Sequence, residues 1–216
     1  MYIAIEGVIG VGKTTLSRLL QGAFDAHLLL EKFEENPFLA KFYEDRARYA
    51  FQTQIFFLLS RYHQQREVVP VALSSGQPLI ADYTFEKDAL FAQINLTGDE
   101  LTTYQQVHDA LAEKIPVPDL VVYLRASTPV LMQRIALRDR SYEREMPWEY
   151  IDTLNHTYER FYLERRWRAP VLVIETDHLD YVHNAEDLKL VENRIRQTLR
   201  LPPFQSALLP DDEILA

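Results

Sequence analysis

Gly7-Val8-Ile9-Gly10-Val11-Gly12-Lys13-Thr14-Thr15 is a complete G-x-x-x-x-G-K-[ST] pattern, and its flanks suit it. Upstream, Met1-Tyr2-Ile3-Ala4-Ile5 is an apolar, β-branched run that reads as a buried strand. Downstream, Leu16, Leu19 and Leu20 share one face of a helix. Strand, glycine-rich loop and helix together make a phosphate cradle. Gly7, Gly10 and Gly12 let backbone N–H groups turn toward an anion, and the helix N-terminus adds partial positive charge. Lys13 is placed to bridge the β- and γ-phosphates of a nucleotide such as ATP. The Thr14 hydroxyl is placed to ligate Mg²⁺, and Thr15 continues the cradle into the helix.

The strand pattern recurs. Apolar runs at 2–6, 27–30, 78–81, 120–124 and 171–174 alternate with stretches of helical period at 51–66, 100–114, 130–138 and 147–166. Such alternation predicts an α/β fold, a parallel five-stranded sheet with helices on both faces. Functional residues then belong at the carboxyl ends of the strands. Two acids stand there: Glu31 after the second strand and Asp82 after the third. One acid beside Mg²⁺ and another acting as a base is what phosphoryl transfer to an alcohol requires.

Composition narrows the class. The chain has 216 residues, 47% of them hydrophobic, enough for one core, so residues 1–216 are expected to form a single domain. A proline-containing acidic tail at 202–216 receives no function. The absence of cysteine removes disulfide and thiol chemistry. The chain opens directly on strand and phosphate loop, and no apolar run reaches bilayer length; a soluble, cytoplasmic protein without signal peptide or membrane partner is expected. A net charge of −9 disfavours a nucleic-acid surface. Yet Arg134, Arg138, Arg140 and Arg144 are clustered, which points to a specific anion site. His178 and His183 lack metal-ligand spacing, and no G-x-S-x-G motif occurs.

From Gly7 to about Asp177 the chain resembles the deoxynucleoside kinase family, P-loop kinases that phosphorylate the 5′-hydroxyl of deoxynucleosides. Glu31-Lys32-Phe33 resembles the family's Glu-Pro-Val segment, whose Glu is the general base; only the acid is retained. Phe42-Tyr43-Glu44 resembles the segment whose Tyr holds the sugar 3′-hydroxyl. Phe51-Gln52-Thr53-Gln54-Ile55-Phe56-Phe57-Leu58-Leu59-Ser60-Arg61 resembles the base-reading helix, which puts Gln54 and Arg61 on the nucleobase. Those two residues are seven apart, so they share a helical face, and an amide and a planar guanidinium suit a base edge. Phe51, Phe56 and Phe57 read as ordinary core.

Asp82-Tyr83-Thr84 stands where the family has an acidic-Arg-Ser motif. The resemblance makes Asp82 a Mg²⁺ partner but leaves Tyr83 in place of the Arg at the reacting 5′ end; Lys87 is the candidate substitute. Asp88 matches a base-contacting Asp. Arg134-Ile135-Ala136-Leu137-Arg138-Asp139-Arg140 resembles the arginine lid, in which Arg134 and Arg138 face the phosphates. Glu143 matches the Glu that partners the sugar-binding Tyr, and Asp177 would border the donor adenine. Arg160, Arg165, Arg166 and Arg168 read as a solvated face.

The family implies ATP as donor, Mg²⁺, a homodimer and nucleotide salvage. Asn36-Pro37-Phe38-Leu39 and Asp82-Tyr83 resemble the bacterial purine-type branch, which implies deoxyadenosine first and deoxyguanosine second. Two alternatives stand beside this reading. A thymidylate-type nucleoside monophosphate kinase would need a further cation for its acceptor's phosphate. A non-catalytic nucleotide-binding regulator would need neither Glu31 nor the lid.

Overall fold

The first apolar run forms β1, Tyr2–Glu6, in which every residue is buried. A computed structural model of the chain describes residues 1–164 and 168–202. Arg165, Arg166 and tail residues 203–216 lie outside the described residues. From β1 the chain continues through α1 (Lys13–Phe24), β2 (His27–Leu29), a 3₁₀ turn (Phe33–Glu35), α2 (Leu39–Glu44) and α3 (Arg46–Ser74). Then follow β3 (Leu79–Ala81), α4 (Lys87–Asn95), α5 (Gly98–Ala112), β4 (Leu120–Arg125) and α6 (Thr128–Arg138). A second 3₁₀ turn (Ser141–Glu143), α7 (Trp148–Glu159), a π-helical turn (Arg160–Glu164), β5 (Val171–Glu175) and α8 (Ala185–Thr198) complete the elements.

The five strands form one parallel sheet in the order β2-β3-β1-β4-β5. Burial follows position. The inner strands β3, β1 and β4 are enclosed on both faces, whereas β2 and β5 at the edges are partly exposed. Side chains alternate across the sheet. Ile3, Ile5 and Ile80 pack with Leu16 and Leu20 of α1. Tyr2, Ala4, Leu79 and Ala81 pack with Val69 and Ala72 of α3. A third cluster, with Phe42, Leu58, Phe85 and Tyr104, lies where the first half of α3 meets α2, α4 and α5. That cluster carries α3 past the sheet edge, so its N-terminal half can wall a pocket above the strand ends.

Two helices depart from their expected bounds by more than two residues. The pattern at 51–66 grows to α3, because the Asp45 side chain caps its N-terminus by accepting from the Arg48 N–H (3.2 Å). At the other end Pro70 removes one N–H without ending the helix. The stretch 147–166 gives α7 and then the π-helical turn. That widened turn brings the neighbours Phe161 and Tyr162 both into the core.

Candidate active site

Because the sheet is parallel, the segments after β1, β2 and β3 leave from the same edge and meet there. The loop after β1 turns at Gly7, φ +147°, where a Cβ would lie 2.5 Å from the Leu124 carbonyl oxygen; only glycine fits. The Lys13 ammonium folds over this loop and donates to the carbonyls of Gly7 (2.6 Å) and Val8 (3.1 Å). Burial, and then the nearby charge of Lys87, pull its pKa down to about 8. An incoming anion would raise it again.

Asp82, at the end of β3, joins the loop after β1 to the loop after β2. Its Oδ2 accepts from the Thr14 hydroxyl (2.5 Å), and its Oδ1 accepts from the Glu31 N–H (2.7 Å). One carboxylate thereby sets the distance between the phosphate loop and Glu31. The Glu31 side chain faces two buried cations. Its Oε1 accepts from Arg61 Nε (3.1 Å) and from Arg61 Nη2, and its Oε2 accepts from Lys87 Nζ (2.8 Å). Burial alone would raise the Glu31 pKa, but Arg61 and Lys87 outweigh it and hold the carboxyl well below the usual range. Glu31 is therefore ionised at neutral pH, with two oxygens held in place.

These groups open into one pocket. Its walls include Lys13, Thr14, Glu31, Asp82 and Lys87 on the sheet side and Gln54 and Arg61 from α3. Tyr43 of α2 and Glu143 of the second 3₁₀ turn close the far side. Tyr43 lies parallel to Tyr142, ring centroids 5.8 Å apart. Arg138, the last residue of α6, donates to Glu143 Oε2 (2.5 Å), and Arg140 lies 3.6 Å from its Oε1. Arg140 also stacks over Phe33, 4.0 Å from the ring centroid. A second groove lies on the other side of the phosphate loop, lined by Gly10, Gly12, Thr15, Arg134, Asp177 and Tyr181. Arg138 borders both cavities. Two cavities meeting across a phosphate loop, with one arginine between them, can bring a donor and an acceptor together.

Among the remaining expected residues, Asp88 and Arg134 depart from the base and phosphate contacts expected of them, because each is held by partners on the chain. Asp88 is fully buried behind Arg61, ion-paired with its Nη1, and does not line the pocket. Arg134 turns away from Arg138: it donates to Val11 O (3.4 Å), Thr176 Oγ1 (3.0 Å) and Thr176 O (2.6 Å), so it braces the second groove. Asp177 accepts from the Ser127 N–H (2.8 Å) at the edge of that groove. Tyr83 is buried and donates to Gln64 Oε1 (2.6 Å), whose amide in turn donates to Leu30 O (2.8 Å). It thus supports the strand that presents Glu31 and offers no charge.

Phe57 corrects the expectation that it is ordinary core. It lines the pocket and carries the Arg61 guanidinium 4.7 Å from its ring centroid, because it lies one turn before Arg61 on the same face. Glu6 is a further residue of the site that neither the loop motif nor the resemblance names. Its buried carboxylate accepts from the N–H groups of Gly7 (3.1 Å) and Thr84 (2.6 Å), and it ties the end of β1 to the end of β3. The signal was there, since Glu6 is an acid at a strand end like Glu31 and Asp82. Phe33 and Tyr142 line the pocket from irregular segments, where no periodicity marks them.

Known proteins resemble this chain over nearly its whole length. The family model described as deoxynucleoside kinase matches residues 3–200. A deoxyguanosine kinase of Bacillus subtilis is 34% identical, covering 92% of this chain and 97% of that one. A deoxyadenosine kinase of Dictyostelium discoideum is 33% identical over 80% of this chain and 71% of its own. Among solved structures, a deoxyadenosine kinase from M. mycoides with bound dCTP superposes with a TM-score of 0.79 at 30% identity, covering 91% of this chain and all of that one.

Proposed function

The chain belongs to the deoxynucleoside kinase family, and from that premise we propose that it transfers the γ-phosphoryl group of ATP to the 5′-hydroxyl of a purine deoxynucleoside, in nucleotide salvage. Deoxyadenosine and deoxyguanosine are the proposed acceptors, as the names of the related enzymes suggest. The observation that carries the reading is the position of Glu31. It is an ionised, doubly paired carboxylate in one pocket with Lys13 and Thr14 of the phosphate loop.

In this reading the nucleoside occupies the pocket between α3 and the lid. Gln54 and Arg61 face the base, and Tyr43 and Glu143 take the 3′-hydroxyl. Glu31 accepts the 5′-hydroxyl proton as the bond to phosphorus forms. Lys87, buried and on Glu31, supplies the cation that Tyr83 does not. The donor lies in the groove lined by Gly12, Thr15, Arg134 and Asp177, and its γ-phosphate is held by Lys13 and Arg138. Thr14 and Asp82 are the residues for Mg²⁺. Their oxygens are adjacent, and among the described residues no cluster of three His, Cys, Asp or Glu could hold a metal alone. Two protein oxygens, with phosphate and water completing the shell, match the habit of Mg²⁺. When bound, the ion would neutralise charge on the donor phosphates.

The pocket's charges favour an uncharged acceptor over a nucleoside monophosphate. Arg61 and Lys87 are each paired with Glu31, and Arg138 and Arg140 with Glu143. No helix among the described residues is long and apolar enough to cross a membrane; a cytoplasmic homodimer completes the proposal, with sedimentation as its check.

Incubating the chain with Mg²⁺, ATP and a panel of four deoxynucleosides, their ribo counterparts and the deoxynucleoside 5′-monophosphates tests the activity. Formation of purine deoxynucleoside 5′-monophosphates is expected. Phosphorylation of monophosphates alone, or of nothing, would refute the reading.

Two variants probe the pocket's far side. Tyr43→Phe removes one hydrogen bond to the sugar and should weaken 2′-deoxynucleosides roughly 2- to 10-fold while leaving 2′,3′-dideoxynucleosides unchanged. Equal losses for both would show that Tyr43 does not touch the 3′-hydroxyl. Arg138→Ala should lower kcat by about 10- to 100-fold with nucleoside affinity retained, since the charge lost is one that grips the moving phosphoryl group. A loss seen wholly in nucleoside binding would move Arg138 to the acceptor site.

A further inference from the structure

We propose that Tyr181 is a positioning residue of the phosphate loop: it holds the Val11 carbonyl so that the Gly12 N–H is aimed at the donor's phosphates. The proposal rests on the reading of this loop as the donor site. Tyr181 lies between β5 and α8, far along the chain from residue 11, and is 6% exposed. Its hydroxyl donates to Val11 O (3.2 Å). Arg134 Nη1 reaches the same oxygen at 3.4 Å, so both lone pairs of that carbonyl have donors.

Both donors are themselves held. Arg134 bonds twice to Thr176, and Thr176 is fixed to Arg125 O through its N–H (2.8 Å) and its hydroxyl (3.0 Å). The turn bearing Tyr181 is closed by Asn184 N–H to Asp180 O (2.8 Å) and by Asp180 N–H to the Asp187 carboxylate (2.8 Å). The Val11 carbonyl thus meets a fixed surface rather than two free side chains.

Geometry does the rest. In a trans peptide the carbonyl and the next N–H point in opposite directions, and the chain has no cis peptide among its described residues. Pinning Val11 O against Tyr181 therefore turns the Gly12 N–H the other way. Among the described residues that N–H has no acceptor on the chain, which leaves it for an anion. Gly12 precedes α1 with φ +102°, and a Cβ there would lie 2.4 Å from the Tyr181 hydroxyl oxygen. The tyrosine thus packs against the glycine whose N–H it aims, and the positive φ of Gly12 strains any larger residue at that position. Tyr181 also lines the donor groove beside Asp177. It consequently links the wall of that groove to the orientation of the phosphate cradle.

The test is equilibrium titration of wild-type protein and Tyr181→Phe with ATP, with inorganic tripolyphosphate and with a deoxynucleoside. The ring stays, so packing is kept, and a melting curve ensures that titrations run well below unfolding. Loss of the hydroxyl should weaken ATP and tripolyphosphate by the same factor, roughly 2- to 10-fold, and leave deoxynucleoside affinity unchanged. A tripolyphosphate affinity equal to wild type overturns the proposal, whether ATP is weakened, which would make Tyr181 a base-groove residue, or not. Equal weakening of the deoxynucleoside also overturns it, since that marks a general structural loss. Binding is read without turnover, so a chain that binds ATP yet phosphorylates no deoxynucleoside would refute the proposed function and leave this result standing.

Discussion

Glu31→Gln is expected to lower kcat by roughly 10²–10⁴-fold, the span of a positioned acid–base group. A nucleoside 5′-hydroxyl keeps its proton at neutral pH and must lose it as the new bond forms. Glu31 is ionised, turned toward the pocket and tied through Asp82 to the phosphate loop. The amide keeps the shape and loses the basicity. ATP binding should hardly change, because the bonds of Lys13 to Gly7 and Val8 do not involve Glu31. Arg61 retains Asp88 as counter-charge, so only Lys87 loses its carboxylate partner. A melting curve separates the resulting loss of stability from the loss of chemistry. Glu34→Gln and Glu35→Gln are the controls: both residues lie in the 3₁₀ turn beyond the pocket wall, and Glu35 pairs with exposed Lys32 (3.2 Å). If either control proves costly while Glu31→Gln is tolerated, the base is misassigned.

Lys13→Ala should take turnover to background, a loss of at least about 10²–10³-fold. Its ammonium is the cation within the phosphate loop itself; Arg138, the other cation assigned to the γ-phosphate, stands on the lid side and pairs with Glu143. Lys87 and Arg61 are committed to Glu31, and Arg134 to backbone and Thr176. Its lowered pKa adds a second expectation. With the pKa near 8 in the free protein, ATP binding should take up protons above about pH 8, because the phosphates draw the amine back to its charged form. Calorimetry in buffers of different ionisation heat would measure this, and its absence would mean that Lys13 does not meet the phosphates. Near-normal turnover of Lys13→Ala would end the kinase assignment. The helix beyond it should persist, since Leu16 and Leu20 rather than Lys13 anchor α1 to the sheet.

Much of this molecule is legible in the order of its residues. Gly7 to Thr15 with an apolar run before and a leucine face after is a local pattern, and local patterns need only the chain's own steric limits to be read. Strand alternation likewise specifies a parallel sheet, because buried strands must be apolar on both faces. Glu31 and Asp82 could be found because each follows such a strand. The resemblance of the α3 segment to a base-reading helix drew out Gln54 and Arg61, and the structure places both on the pocket wall.

What the order of residues alone could not decide is which charges meet. By resemblance Arg61 serves the nucleobase, and it also grips Glu31 and Asp88, which lie after β2 and on α4. Arg134 and Arg138 are one turn apart, yet one faces Val11 and Thr176 and the other Glu143. Lys87 reaches Glu31 across 56 residues, and Tyr181 reaches Val11 across 170. Periodicity states which face of an element is polar, but not what the fold brings against that face. A glycine-rich loop and five apolar runs determined the scaffold and its phosphate end through local sterics and burial. Only the packing of α3, α4, α6 and the β5–α8 turn against that end decided the partners of each acid and base, because ion pairs form between side chains that are neighbours in space and not in the chain.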